Sequence, residues 1–345
     1  MSSTPLTTPP LGFMSMGDGG EPPQARRSLI ARASLADTVF RRVAYAAGTT
    51  TVGIMLAVGV FLSLRASDAL GTAGISFLFE TDWSPDTHTF GIAAVLFGTI
   101  TIAVIAMCVA VPLALGTSLL ISEVVRGRLR SWLVALVDLM AAVPSVVFGL
   151  WGVFFLQAAV IPVSSWISTY FGWIPIFAVN DGSGEHLTEA SAYTSSAFIA
   201  GIVVGLMVVP TQTSVMREAF SQAPVGEREA AFALGSTRWG MIRAVVLPFG
   251  RGGIIGGTML GLGRALGETI AVYMIISPIF VINWEVLKTG TNSVSSLIAL
   301  RYGEASSFGL SALMAAGLVL FLITLIINFT ASTIVARSRS GAESG

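Results

Sequence analysis

The chain has 345 residues, of which 54% are hydrophobic and only 11% charged, with 19 basic side chains balancing 19 acidic ones. So few ions cannot cover a soluble domain, so the composition places the chain in a bilayer, and zero net charge removes any general electrostatic case for nucleic acid or an acidic partner. The single cysteine, Cys108, excludes an internal disulfide and a cysteine metal centre, and its apolar surroundings read as buried.

Residues 1–41 are rich in Ser, Thr, Pro and Gly and read as a disordered cytoplasmic tail. Crossing a bilayer as a helix takes about 20 apolar residues, because lipid offers no partner to open backbone groups. Six segments meet that length: 43–64, 91–115, 132–156, 197–216, 254–280 and 308–335. Residues 42–90 then hold the first membrane helix and an outer loop. Residues 91–336 hold a core of five spans with a long cytoplasmic loop at 217–250, and residues 337–345 form a cytoplasmic tail. The expected fold is all-α and integral to the membrane, with six transmembrane helices.

Basic residues set the orientation, since short loops rich in Lys and Arg stay in the cytoplasm. With the amino terminus inside, the inner segments hold fifteen basic residues and the outer ones only Arg65, Lys288 and Arg301. Six spans return the carboxyl terminus to the same side. The outer loops near 66–90 and 158–195 carry Trp83, Trp166, Tyr170 and Trp173, which suit the membrane interface. His88 and His186 lie far apart in polar connections and read as surface or structural groups.

The stretch 227–248, EREAAFALGSTRWGMIRAVVLP, is too long and too helical for a passive turn. Glu227 and Glu229 suit the first turn of a helix. Ala230, Ala231, Phe232 and Leu234 continue it, and Gly235 ends it in a left-handed conformation. Ser236 is the expected cap of a second helix, with Trp239, Ile242 and Val246 on one apolar face and Pro248 at its end. The order Glu229-Ala230-Ala231, three residues, Gly235, nine residues, then Val245-Val246-Leu247-Pro248 resembles the EAA loop of bacterial ATP-driven import permeases. The resemblance implies that this loop couples a separate ATPase to the membrane helices. No phosphate-binding glycine loop precedes the only lysine, Lys288, so ATP and Mg belong to that partner and this chain carries no cofactor.

The fifth segment places Arg264 and Glu268 near the bilayer middle, where each costs about 2.5 to 3.5 kcal/mol unless it has a partner or a water-filled path. On a continuous helix Gly253, Gly257, Gly261, Arg264 and Glu268 fall within an arc of roughly 80°. Two readings follow: a translocation path lined by this face, or an ion pair locking two helices. Asp138 and Pro144 add a third charge and a kink site in the third segment, with Asp138 placed either as an ionic partner of the fifth segment or as a carboxylate facing the cytoplasm beside a packing kink.

The stretch 257–272, GTMLGLGRALGETIAV, and the stretch 138–152, DLMAAVPSVVFGLWG, resemble the PstC-type permeases of phosphate uptake systems, and the likeness spans about residues 85–335. It implies a type I importer permease fold and a pathway including Arg264, Glu268 and Ser145, with coupling through Glu229, Ala230, Ala231, Gly235 and Pro248. The implied partners are a second, PstA-like permease, a PstB-like ATPase dimer and an extracytoplasmic PstS-like phosphate-binding protein. Sulfate and molybdate permeases share the Arg-Ala-Leu-Gly-Glu run but typically continue with Phe-Gly, where this chain has Thr269-Ile270-Ala271-Val272. They, and an ATP-independent anion transporter, are the alternatives.

Overall fold

The computed structural model describes residues 35–181 and 183–340. Its contacts divide the chain into two units, residues 1–54 and 55–345. In the first, residues 35–54 form the start of helix α1 (Leu35–Arg65), with no buried side chain. Thr49, Thr50 and Thr51 there donate their hydroxyls to carbonyls four residues back, which lets polar side chains ride in an apolar helix. The helix begins at Leu35, so residues 35–41 of the expected tail are helical. The rest of that tail lies outside the described residues.

The second unit continues with α2 (Ser67–Ala73), the two-residue strands β1 (Trp83–Ser84) and β2 (Thr89–Phe90), and then α3 (Ala93–Val124), α4 (Gly127–Ala141), α5 (Ser145–Phe171) and α6 (Ala197–Ser221). The loop after α6 forms α7 (Val225–Ala233) and α8 (Arg238–Phe249), followed by α9 (Arg251–Gly267), the short α10 (Ile270–Ile275), α11 (Val294–Arg301) and α12 (Ser307–Ser340). Among the described residues, five helices are long and apolar enough to span, and the sixth candidate is α8 with α9, bent by 67° at Gly250. The all-α membrane class and six-span count therefore hold, with one span broken. Helix α12 runs to Ser340, into the segment expected as a tail.

The core is the pair α3 and α6, with α9 laid along α6 and α12. Close approach comes from small residues: a Cβ at Gly201 would sit 2.6 Å from the Ile105 side chain, and one at Gly205 would sit 2.9 Å from the Ala106 carbonyl. Ala103, Ala106 and Ala110 fill the facing positions and are buried. On α9, a Cβ at Gly253 or Gly261 would overlap Ala219 or the Gln212 amide of α6. Gly253 and Gly261 of the small-residue face are thus taken up by contact with α6.

Two spans differ from the sequence expectation. The third is not one helix over 132–156: the chain breaks at 142–144, and the long helix starts at Ser145, because Pro144 holds an extended backbone (φ −60°, ψ 143°) and lacks the N–H an α-helix needs. The fifth stops at Gly267 instead of continuing to Phe280. Glu268 is extended (φ −67°, ψ 122°), and beyond Ile275 the chain packs on the loop before α6. There the Val286 amide donates to the Ile176 carbonyl at 3.1 Å and the Thr289 amide to the Ala192 carbonyl at 2.8 Å, while buried Tyr193 donates its hydroxyl to the Leu187 carbonyl at 2.7 Å within the loop. In the same loop the Asp181 carboxyl is held below its ordinary value, first by the Ser183 hydroxyl and then by the Glu185 amide.

His186 Nε2 meets the Ser168 hydroxyl at 2.9 Å, and His88 sets its ring edgewise to Phe308 at 4.6 Å. Trp166, Tyr170 and Trp173 are exposed, whereas Trp83 stacks on Phe280. Cys108 is exposed on α3, not buried, since its position on the helix faces away from α6.

Candidate functional site

Helix α9 carries Arg264 in its last turn, half-buried. One guanidinium nitrogen, Nη1, donates to Thr211 Oγ1 of α6 at 3.3 Å, and no carboxylate pairs with it among the described residues. Arg264 lines an open groove of about 560 Å3 between α9 and α12, together with Gly263, Gly267, Gly317, Thr324 and Asn328. A cation at that depth without a counter-ion is costly unless water or an anion reaches it.

Glu268 does not meet Arg264. The helix ends between them, and Glu268 Oε1 instead accepts from the Ala271 amide at 3.2 Å, capping α10. A glycine followed by Glu-Thr was the available signal for this break, but the apolar run hid it. Ser145, half-buried, opens α5 just after Pro144. No hydrogen bond joins it to Arg264 or Glu268 among the described residues. The elements that follow the two breaks do touch, since a Cβ at Gly149 of α5 would lie 3.0 Å from Ala271 Cα of α10.

Asp138 is exposed on α4, beside Arg130 and Ser131, and makes no ion pair among the described residues. It is not an ionic partner of α9 within this chain. Helix α4 instead approaches α6.

The loop 217–250 folds as the two expected helices. Gly235 takes φ +82°, the left-handed turn that only glycine adopts at little cost. The cap of α8 is Thr237, whose Oγ1 accepts from the Gly240 amide at 3.1 Å, and not Ser236. Pro248 does not end the helix; the chain bends two residues later, at Gly250. Ile242 and Val246 are buried with Met216 and Phe220 of α6, but Trp239 points outward with Val225, Phe232 and Leu234. Glu229 and Ala230 are exposed on α7, and Ala231 is half-buried.

One element of this loop escaped the sequence reading. Arg228 reaches Glu123, at the C-terminal end of α3, with 3.2 Å between Nη2 and Oε1, and Nη2 also donates to the Phe220 carbonyl at 2.6 Å. Glu123 sits in the apolar run Leu120-Ile121-Ser122-Glu123-Val124-Val125, a buried acid whose partner lies over a hundred residues away and leaves no local pattern.

Residues 112–340 match the model of the family described as binding-protein-dependent transport system inner membrane component. A phosphate transport system permease protein PstC 2 of Mycobacterium tuberculosis is 34% identical, over 99% of this chain and all of the relative. PstC of Mycobacterium leprae is 36% identical over 82% of this chain and 86% of its own, and PstC of Pasteurella multocida is 34% identical over 82% and 87%. Among solved structures, a bacterial transporter importing the acidic polysaccharide alginate aligns with TM-score 0.54 at 17% identity, covering 88% of this chain and 98% of that one. The fold they share is that of the type I importer permeases.

Proposed function

The chain belongs to the PstC group of binding-protein-dependent permeases, as a multi-pass inner-membrane protein that is not itself the ATPase, and from that premise we propose that it forms one half of a phosphate path. The observation that carries this reading is Arg264: a guanidinium without a carboxylate partner among the described residues, at membrane depth, open to a groove. Its planar fork of N–H donors matches phosphate oxygens better than an ammonium would. Ser145 and Glu268 stand at the helix breaks of two elements that touch each other, α5 and α10, and complete the proposed path.

The other half of the path is a PstA-like permease, which buries the apolar faces left open on this chain. An extracytoplasmic PstS-like protein delivers phosphate, and a PstB-like ATPase dimer supplies ATP and Mg chemistry. The fifteen-to-three bias of basic residues supports both termini in the cytoplasm. That orientation puts α7 and α8 where a soluble ATPase can reach them. The exposed Val225, Phe232, Leu234 and Trp239 then form a knob for a groove in that partner, with Glu229, Ala230, Ala231, Gly235 and Pro248 shaping it.

The test is labelled phosphate uptake by the assembled complex. Arg264→Gln is expected to abolish uptake with assembly intact, and Arg264→Lys to retain a small fraction. Uptake by Arg264→Gln at the wild-type rate overturns the reading.

A further inference from the structure

Helix α12 is almost wholly apolar between Leu318 and Phe329, yet it carries Asn328 there, exposed and with no hydrogen-bond partner for its amide among the described residues. An amide in hydrocarbon without a partner is unfavourable, and such residues mark helix contacts or paths. The geometry around it favours a path. Asn328 lines the groove of about 560 Å3 that Arg264 lines from the other side, and its Oδ1 lies 3.8 Å from where a Cβ on Gly263, the neighbour of Arg264, would sit.

Glycines widen the groove, whose walls also carry the apolar Met259, Leu260, Leu320 and Phe321. Gly263 and Gly267 on α9 and Gly317 on α12 face it, and a Cβ on Gly267 would meet nothing within 4 Å. These positions differ from Gly253 and Gly261, which are consumed by contact with α6. Glycine at 263 and 267 is therefore not demanded by helix packing within this chain. Thr324, one turn from Asn328, donates its hydroxyl to the Phe321 carbonyl, so its proton is already committed.

We propose that Arg264 and Asn328 form a subsite for a tetrahedral oxyanion in the α9–α12 groove, with the guanidinium supplying charge and the Asn328 amide a neutral N–H donor. The subsite rests on the phosphate-path reading above and adds a residue from α12 to it. A neutral second donor and an open groove leave the ion part of its water. Such a site holds an anion loosely, as a path must if the ion is to leave again.

The experiment uses the complete complex in proteoliposomes with saturating binding protein, reading labelled phosphate uptake and phosphate-stimulated ATP hydrolysis. Asn328→Leu, close in size but without donors, is expected to lower the uptake rate at least tenfold, while Asn328→Gln keeps a third or more. Gly267→Leu, whose Cβ meets nothing within 4 Å and whose longer side chain narrows the groove, is expected to block uptake with the complex assembled. Asn328→Leu at the wild-type rate overturns the subsite, as does equal impairment of Asn328→Leu and Asn328→Gln, which marks a packing role. Free uptake with Gly267→Leu overturns it too. A wild-type complex that hydrolyses ATP but moves no phosphate sinks the path reading itself, an outcome distinct from these.

Discussion

Arg228 of α7 and Glu123 of α3 form an ion pair at 3.2 Å, with the Glu123 side chain 3% exposed and that of Arg228 20% exposed. Because Arg228 also holds the Phe220 carbonyl, one side chain ties the α7–α8 knob to the C-terminal ends of two core helices, α3 and α6. Breaking a buried pair by removing one partner costs about 3 to 5 kcal/mol, since it strands the other charge.

Arg228→Ala is therefore expected to lower the thermal stability of the complex and to weaken phosphate-stimulated ATP hydrolysis more than tenfold. The double change Arg228→Met with Glu123→Met removes both charges and is expected to recover stability but not coupling. If the double variant hydrolyses ATP like wild type, the pair holds the fold and plays no part in transmission.

Gly235 turns left-handed with nothing within 4 Å of a Cβ, so the obstacle to substitution there is backbone strain, not crowding. Gly235→Val is expected to leave the chain in the membrane while misplacing α8 against α7. Glu229→Lys reverses a charge on the exposed side. Both are expected to depress stimulated ATP hydrolysis several-fold, and normal hydrolysis by assembled complexes removes the loop from the coupling role.

Glu268 caps α10 through an acceptor oxygen that glutamine also has. Glu268→Gln is expected to retain several times more phosphate uptake than Glu268→Ala, and combining it with Arg264→Gln is expected to restore nothing. Recovery of uptake in the double variant would show that the two charges balance each other during transport.

Orientation is open to a labelling experiment in a variant lacking Cys108. Cysteine at Ser183 is expected to react with an impermeant thiol reagent from outside, and cysteine at Ser236 is not. The opposite pattern reverses the topology and places the knob away from any cytoplasmic ATPase.

Much of the fold was legible because hydropathy and basic residues act over whole segments, and lipid permits few alternatives. The left-handed Gly235 was legible for a local reason, a glycine between two helical patterns. The breaks at 142–144 and at Glu268 were harder. Both sit inside continuous apolar runs, so composition favours unbroken spans, and only the backbone chemistry of Pro144 and the Gly267-Glu268-Thr269 triplet says otherwise. The Arg264–Glu268 spacing of four suggested a pair, but that inference holds only on an intact helix. Thr211, Glu123 and Asn328 were invisible because each gains its meaning from a residue distant in sequence.

The 67° angle between α8 and α9 also fixes how force is shared if the knob is pushed along the axis of α8. About nine-tenths of such a push acts across α9 and about four-tenths along it, by the geometry of the bend alone. The helix bearing Arg264 is thereby worked mainly as a crank that tilts, and only secondarily as a piston that slides. Tilting about the inner end at Gly250 moves the Arg264 end furthest, because it lies at the far end of the 17-residue arm.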